Sequence, residues 1–147
     1  MSKKLPIEVV YEVRDNCLCL ATQRAARRLA RRFDRAFAPV GLTNGQFSLM
    51  MALNAPQAPT VGKLAAFLAM DRTTLTAALK SLERRGLVRV AADETDKRAR
   101  RVALTEAGRE TLVSALPIWR ATHAAVEKEL PEGDAERLRL SLANVCR

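Results

Sequence analysis

The sequence predicts a mainly α-helical fold with one small β-hairpin. Three observations predict it. Aromatic residues make up only 4% of the 147 and alanine is frequent, which favours helices over sheets. From Asp71 a hydroxyl-bearing helical run leads to Gly86 and directly into two β-prone runs joined by a charged turn. On both sides of this middle segment, apolar residues recur with helical spacing over long stretches. A polar-faced helix beside a charged hairpin is the plan of a winged helix-turn-helix, which sets one helix in a DNA major groove and the hairpin next to it.

Taken in order, Cys17, Ala21, Ala25, Leu29, Phe33 and Phe37 recur every fourth residue and predict one long helix over Tyr11 to Ala38. Such a helix spans about 40 Å at 1.5 Å per residue. Its other side carries Arg24, Arg27, Arg28, Arg31, Arg32 and Arg35, and Pro39 and Gly41 end it. Thr43 is placed to cap the next helix, with Gln46 completing a capping box. Phe47, Leu49, Met50, Met51 and Leu53 supply its apolar content, and Pro56 and Pro59 break it. Thr60 caps a short helix that buries Leu64, Ala65 and Leu68. Asp71 is the N-cap of the fourth helix, whose inner stripe is Leu75, Ala78, Leu79 and Leu82. Its outer stripe is Thr73, Thr76, Ala77, Lys80 and Arg84.

Gly86 stops that helix. Val88 and Val90 alternate with Arg89, and Val102 and Leu104 with Arg101 and Ala103, which predicts two half-buried strands. The run Asp93-Glu-Thr-Asp-Lys-Arg98 is too polar to pack and reads as an exposed loop. Thr105 caps a fifth helix holding Leu112, Leu116 and Trp119, with a kink expected at Pro117. After a break over Pro131 to Asp134, a last helix from Ala135 to Val145 aligns Leu138, Leu142 and Val145. The chain is therefore one unit, 1–147, with a DNA-binding module at 43–108 and dimerisation helices at 8–38 and 109–147. The terminal apolar stripes exceed what so small a middle can cover, so a C2 homodimer is expected.

Lys and Arg number 25 against 16 Asp and Glu, a formal charge of +9. The balance favours a polyanionic partner, double-stranded DNA before an anionic membrane surface. No 18-residue apolar run exists, so no membrane span is expected. The opening Met-Ser-Lys-Lys-Leu-Pro is not followed by an apolar h-region, so no signal peptide is expected. Three cysteines make no even disulfide framework. Together these predict a reducing, cytoplasmic location. A Gly-rich phosphate loop, a His-based dyad and a metal motif are all missing, so neither an enzyme nor a cofactor or metal is expected.

Major-groove readout needs short hydroxyls and long cations on one helix face. Arg72, Thr73, Thr74, Thr76 and Lys80 meet that requirement, although a threonine there also serves to cap a helix. The wing carries Asp96, Lys97, Arg98, Arg100 and Arg101. Arg98, nearest the tip, is the candidate for a narrow A·T-rich minor groove, whose enhanced negative potential attracts arginine. Asp96 is expected to hold the Arg98 side chain by a charge-assisted hydrogen bond.

In these motifs residues 43–108 resemble the winged-helix core of the multiple-antibiotic-resistance regulator (MarR) family. The matching features are Leu42-Thr43-x-x-Gln46-Phe47, Asp71-Arg-Thr-Thr-Leu-Thr76, Leu82-Glu-Arg-Arg-Gly-Leu-Val88, Asp96-x-Arg98 and Leu104-Thr105-x-x-Gly108. The resemblance implies a homodimeric transcriptional regulator, often a repressor, that binds a pseudo-palindrome and is released by a small ligand or by oxidation. Where many members carry arginine just after the Thr76 position, this chain has Ala77, a departure that bears on operator sequence.

Two kinds of signal are compatible with that resemblance. One is a small aromatic or phenolic effector between the long helices and the winged module, with Phe33, Phe37, Phe47, Met50 and Met51 as candidate walls; the same residues are also ordinary core. The other is oxidation. Leu18-Cys19-Leu20-Ala21 resembles the segment that holds the peroxidatic cysteine in the organic-hydroperoxide-sensing branch, although the tyrosine positions of that branch are Phe33 and Asn44 here. Cys19 is equally a small buried hydrophobe by type. A nonspecific architectural DNA protein and a membrane-surface protein remain alternatives; both explain the charge, and neither calls for the hydroxyl-bearing helix.

Overall fold

A computed structural model describes residues 4–147. Residues 1–3, part of the opening run read against a signal peptide, lie outside the described residues. The elements run α1 (Ile7–Asn16), α2 (Leu18–Phe37), a 3-10 turn (Ala38–Val40), α3 (Asn44–Ala52), α4 (Val61–Leu68) and α5 (Arg72–Arg84). Then follow β1 (Val88–Ala92), β2 (Arg100–Leu104), α6 (Glu106–Lys128) and α7 (Asp134–Val145).

The single long first helix is corrected to two. Cys17 is extended, at φ −77° and ψ 108°. The Asn16 side chain donates to the Glu12 carbonyl at 2.8 Å, and the Cys17 sulfur accepts the Leu20 N–H at 3.4 Å. Short polar side chains thus satisfy both helix ends locally, which competes with continuing the helix. The apolar ladder runs through this point unbroken and carries no trace of it.

The middle follows the caps. Thr43 and Gln46 form the expected capping box. Thr60, Asp71 and Thr105 each accept a hydrogen bond from the backbone of their helix. Gly86, at φ +71°, turns the chain out of α5, a left-handed conformation that glycine adopts without a steric clash. β1 and β2 pair antiparallel with Val88 opposite Leu104 and Val90 opposite Val102. Beyond them, Thr60 bridges to Arg101 and the Val102 N–H donates to the Pro59 carbonyl at 3.0 Å. The segment before α4 therefore lies along the outer edge of β2. α6 continues through Pro117 to Lys128 as one element.

One core joins these pieces. Leu75, Leu79 and Leu82 of α5 are buried with Leu64, Val88, Val102 and Leu104, and the same cluster extends to Phe37, Phe47, Met50 and Leu112. Phe37 stacks on Phe47 with ring centres 4.7 Å apart. At the ends of the chain the picture reverses: neither α1 nor α7 buries a residue within the protomer. Ile7, Val10, Tyr11, Leu138, Leu142 and Val145 all stand exposed.

Candidate nucleic-acid interface

α5 and the hairpin form the two walls of an open cleft of about 720 Å³, floored by the start of α4. Arg72, Thr76 and Lys80 enter it from α5, and Asp96, Arg98 and Arg100 from the wing. Six of the nine residues expected at the interface (Arg72, Thr73, Thr74, Thr76, Lys80, Asp96, Lys97, Arg98, Arg100) thus meet in one concavity. Thr73, Thr74 and Lys97 are exposed beside it.

The α5 face is positioned by its cap. Asp71 Oδ1 accepts the Thr74 N–H at 2.8 Å and Oδ2 accepts the Thr74 hydroxyl at 2.7 Å. Thr74 is therefore committed to the helix start, the capping role its residue type also allowed. These bonds, the backbone one first, hold the Asp71 carboxyl below its ordinary range. At the far end, Glu83 accepts the Val90 N–H at 3.1 Å, which ties α5 to β1.

The wing departs from expectation in three ways. Asp96 Oδ1 accepts the backbone N–H of Arg98 at 3.0 Å; it does not hold the side chain, and among the described residues the Arg98 guanidinium makes no ion pair. Asp93 is not part of a purely solvated loop, since its side chain is only 11% exposed. Arg101 turns inward: its Nε–H donates to Asp93 Oδ1 at 2.5 Å and an Nη1–H to the Ala58 carbonyl at 2.6 Å. Arg101, helped by the Thr95 hydroxyl, lowers the Asp93 carboxyl to about 2.

Sequence reasoning missed Gly62 and Glu83. Gly62 sits two residues after the Thr60 cap, where the Arg72 side chain crosses it. Its local signal, a glycine just inside a helix, did not reveal what would lie on it.

A sequence model of the MarR family matches residues 42–99. The Mycobacterium tuberculosis transcriptional regulator MosR, solved in complex with DNA, is 43% identical, with a TM-score of 0.81 over 89% of this chain and 94% of that one. The chain belongs to the MarR family. Among curated relatives, the transcriptional activatory protein BadR of Rhodopseudomonas palustris is 36% identical over 115 residues, 76% of this chain and 66% of BadR. The regulator TtmR of Methylorubrum extorquens is 35% identical over 95 residues, 65% of this chain and 49% of TtmR. The chain thus spans about two thirds of the first and half of the second.

In this MarR-family chain the signal candidates separate. Phe33, Phe47 and Trp119 wall a cavity of about 240 Å³ between α2, α3 and α6, with Asn44, Ser48 and His123 as its polar groups. A more apolar groove of about 380 Å³, lined by Met51, Phe67 and Leu116, shares Phe47, Ser48 and Trp119 with it. Met50 is corrected: it is fully buried in the core and lines neither space. The Asp34 carboxylate accepts both the backbone and the side-chain N–H of Asn44, at 2.7 and 2.8 Å, which lowers the Asp34 carboxyl and fixes Asn44 at the cavity edge.

Cys17, Cys19 and Cys146 are free thiols. Cys19 is exposed near the start of α2 and receives the Gln23 side-chain N–H at 3.0 Å; Arg24 makes no contact with it among the described hydrogen bonds. Phe33 lies fourteen residues further along the same helix, about 21 Å away. No helix among the described residues is long and apolar enough to cross a membrane.

Proposed function

We propose that the chain is a homodimeric, sequence-specific DNA-binding transcriptional regulator that reads a pseudo-palindromic operator and is released by a small aromatic or phenolic effector. The cleft between α5 and the wing carries this reading, because it gathers base-reading types (Arg72, Thr76, Lys80) and groove-reaching cations (Arg98, Arg100) on one surface. A nonspecific binder needs the charge and not this pairing. The exposed apolar residues of α1 and α7 support pairing of two copies, which sets two such clefts on successive turns of a duplex. The aromatic walls of Phe33, Phe47 and Trp119, with a few polar groups beside them, suit a single-ring ligand.

The test is fluorescence anisotropy with the chain's own upstream DNA and excess random competitor. A tight complex that survives competitor supports an operator-reading regulator; equal competition by random DNA makes it architectural. Transcription from that promoter with and without protein checks the sign. A fall makes it a repressor, and a rise makes it an activator, as the related BadR is named.

A second reading is favoured by the Gln23–Cys19 contact, because a thiolate that reacts with peroxide needs a donor beside it. The Cys19 sulfur would attack the terminal oxygen of an organic hydroperoxide, form an S–O bond, break the O–O bond and release the alcohol. Its mark is a complex lost on adding hydroperoxide and retained in Cys19→Ser. Indifference to peroxide leaves the effector reading alone.

A further inference from the structure

We infer that Arg101 and Asp93 form a positioning pair that presents Arg98 to the minor groove, an inference that rests on the DNA-regulator reading above. Arg98, Arg100 and Arg101 look alike in sequence, yet one of them does not face the cleft. Two guanidinium donors of Arg101 are spent inside the protein, on Asp93 Oδ1 and on the Ala58 carbonyl, and its side chain is 39% exposed.

From that pair an unbroken hydrogen-bonded relay leads to Arg98. Asp93 Oδ2 accepts the Thr95 hydroxyl at 3.0 Å and the Asp96 N–H at 3.1 Å. Asp96 Oδ1 then accepts the Arg98 N–H at 3.0 Å. The loop is closed by the Asp93 N–H to the Ala99 carbonyl and the Ala99 N–H to the Asp96 carbonyl, both at 3.0 Å. Two carboxylates thus set the path from Asp93 to Arg98, and the first of them is held by Arg101.

The other end of the relay is anchored on the segment that leads into α4, the floor of the cleft. Ala58 lies in the segment that pairs with β2, and two residues later Thr60 caps α4. Wing tip and recognition helix are therefore referred to one fixed segment. The need is physical: a two-stranded hairpin is marginal alone, and ordering its tip only on binding would subtract conformational entropy from the affinity. An apolar residue at position 101 would pack the strand, but it would leave the Asp93 carboxylate without the partner that holds it.

The experiment is a double-mutant cycle on operator binding by the full-length protein, with Arg98→Ala, Arg101→Met and their combination, and Asp93→Asn as a near-isosteric second entry to the pair. Positioning predicts that Arg101→Met weakens binding roughly tenfold, no more than Arg98→Ala does, and adds almost nothing in the Arg98→Ala background. Asp93→Asn repeats the pattern, with a thermal midpoint lowered by loss of the ion pair but still above the assay temperature, so that binding is read on folded protein. In the Arg98→Ala background the salt dependence should stay put when Arg101 is changed; a drop of about one in its slope would make Arg101 a phosphate contact and overturn the inference. Additive losses overturn it too. If Arg98→Ala costs nothing, the minor-groove reading fails and the pair falls with it; if only the Arg101 and Asp93 variants are silent, the pair alone is wrong.

Discussion

A Cβ built on Gly62 would stand 2.7 Å from the Nη2 atom of Arg72. The first side chain of the recognition helix thus lies directly on the bare backbone of α4. Arg72 is a flexible side chain, so it can move when that surface is filled. Gly62→Ala should keep the fold, or raise its stability by up to about 1 kcal/mol because alanine is the better helix former, while weakening operator binding. Thermal melts beside anisotropy separate the two effects. Unchanged affinity would mean that the resting place of Arg72 on α4 is irrelevant to the complex.

Gly108 faces a harder neighbour. A Cβ there would collide with the carbonyl oxygen of Leu87, which is backbone and cannot swing aside. The close approach joins α6 to β1, where Thr105 also donates its hydroxyl to the Gly86 carbonyl at 2.6 Å and accepts the Gly108 N–H at 3.1 Å. Gly108→Ala should cost about 1–3 kcal/mol, the usual scale of overpacking. A urea midpoint equal to the parent's would show that the joint yields.

On α7, Leu138, Leu142 and Val145 follow one another at helical spacing and are exposed in the single protomer. A charge at the centre of that stripe cannot be buried unpaired. Leu142→Lys should convert a dimer into a monomer by sedimentation velocity, and with it lower the affinity for a two-half-site operator. A dimeric profile would place the seam elsewhere.

Acid should loosen the wing root before the core. The Asp93 carboxyl is lowered to about 2, chiefly by Arg101, while an unfolded aspartate titrates near ~3.9. A depressed folded value adds stability that is full above the unfolded value and lost as pH falls through the folded one. The relevant window is therefore about pH 4 down to 2. Chemical denaturation across it should show stability falling with pH, less steeply in Asp93→Asn. Asp71, lowered by its Thr74 bonds, adds to the slope in both proteins. Identical slopes would remove Asp93 from the titration.

What the sequence by itself determined is most of what neighbours a few residues apart govern. The caps at Thr43, Thr60, Asp71 and Thr105 and the stop at Gly86 are local chemistry, in which a side chain reaches backbone two or three positions away. The inward leucines of α5 and the alternating valines of the hairpin are periodicities of one element. From these the winged module, its basic groove-facing residues and the family resemblance were all legible.

Only the tertiary structure decided which of several equivalent side chains does what. Arg98 and Arg101 are interchangeable on paper; a carbonyl 43 residues away, at Ala58, makes one a structural tie, while the other lines the cleft. Adjacent Met50 and Met51 split because Met50 joins the buried cluster while Met51 lines an open groove with Phe67 and Leu116. The break at Cys17 is invisible in the apolar ladder, since helix ends can be satisfied by side chains as well as by the next turn. The roles of Arg101, Met50 and Met51 depend on partners and packing surfaces that exist only once distant segments have met, whereas the break at Cys17 rests on bonds within four residues that the apolar ladder conceals.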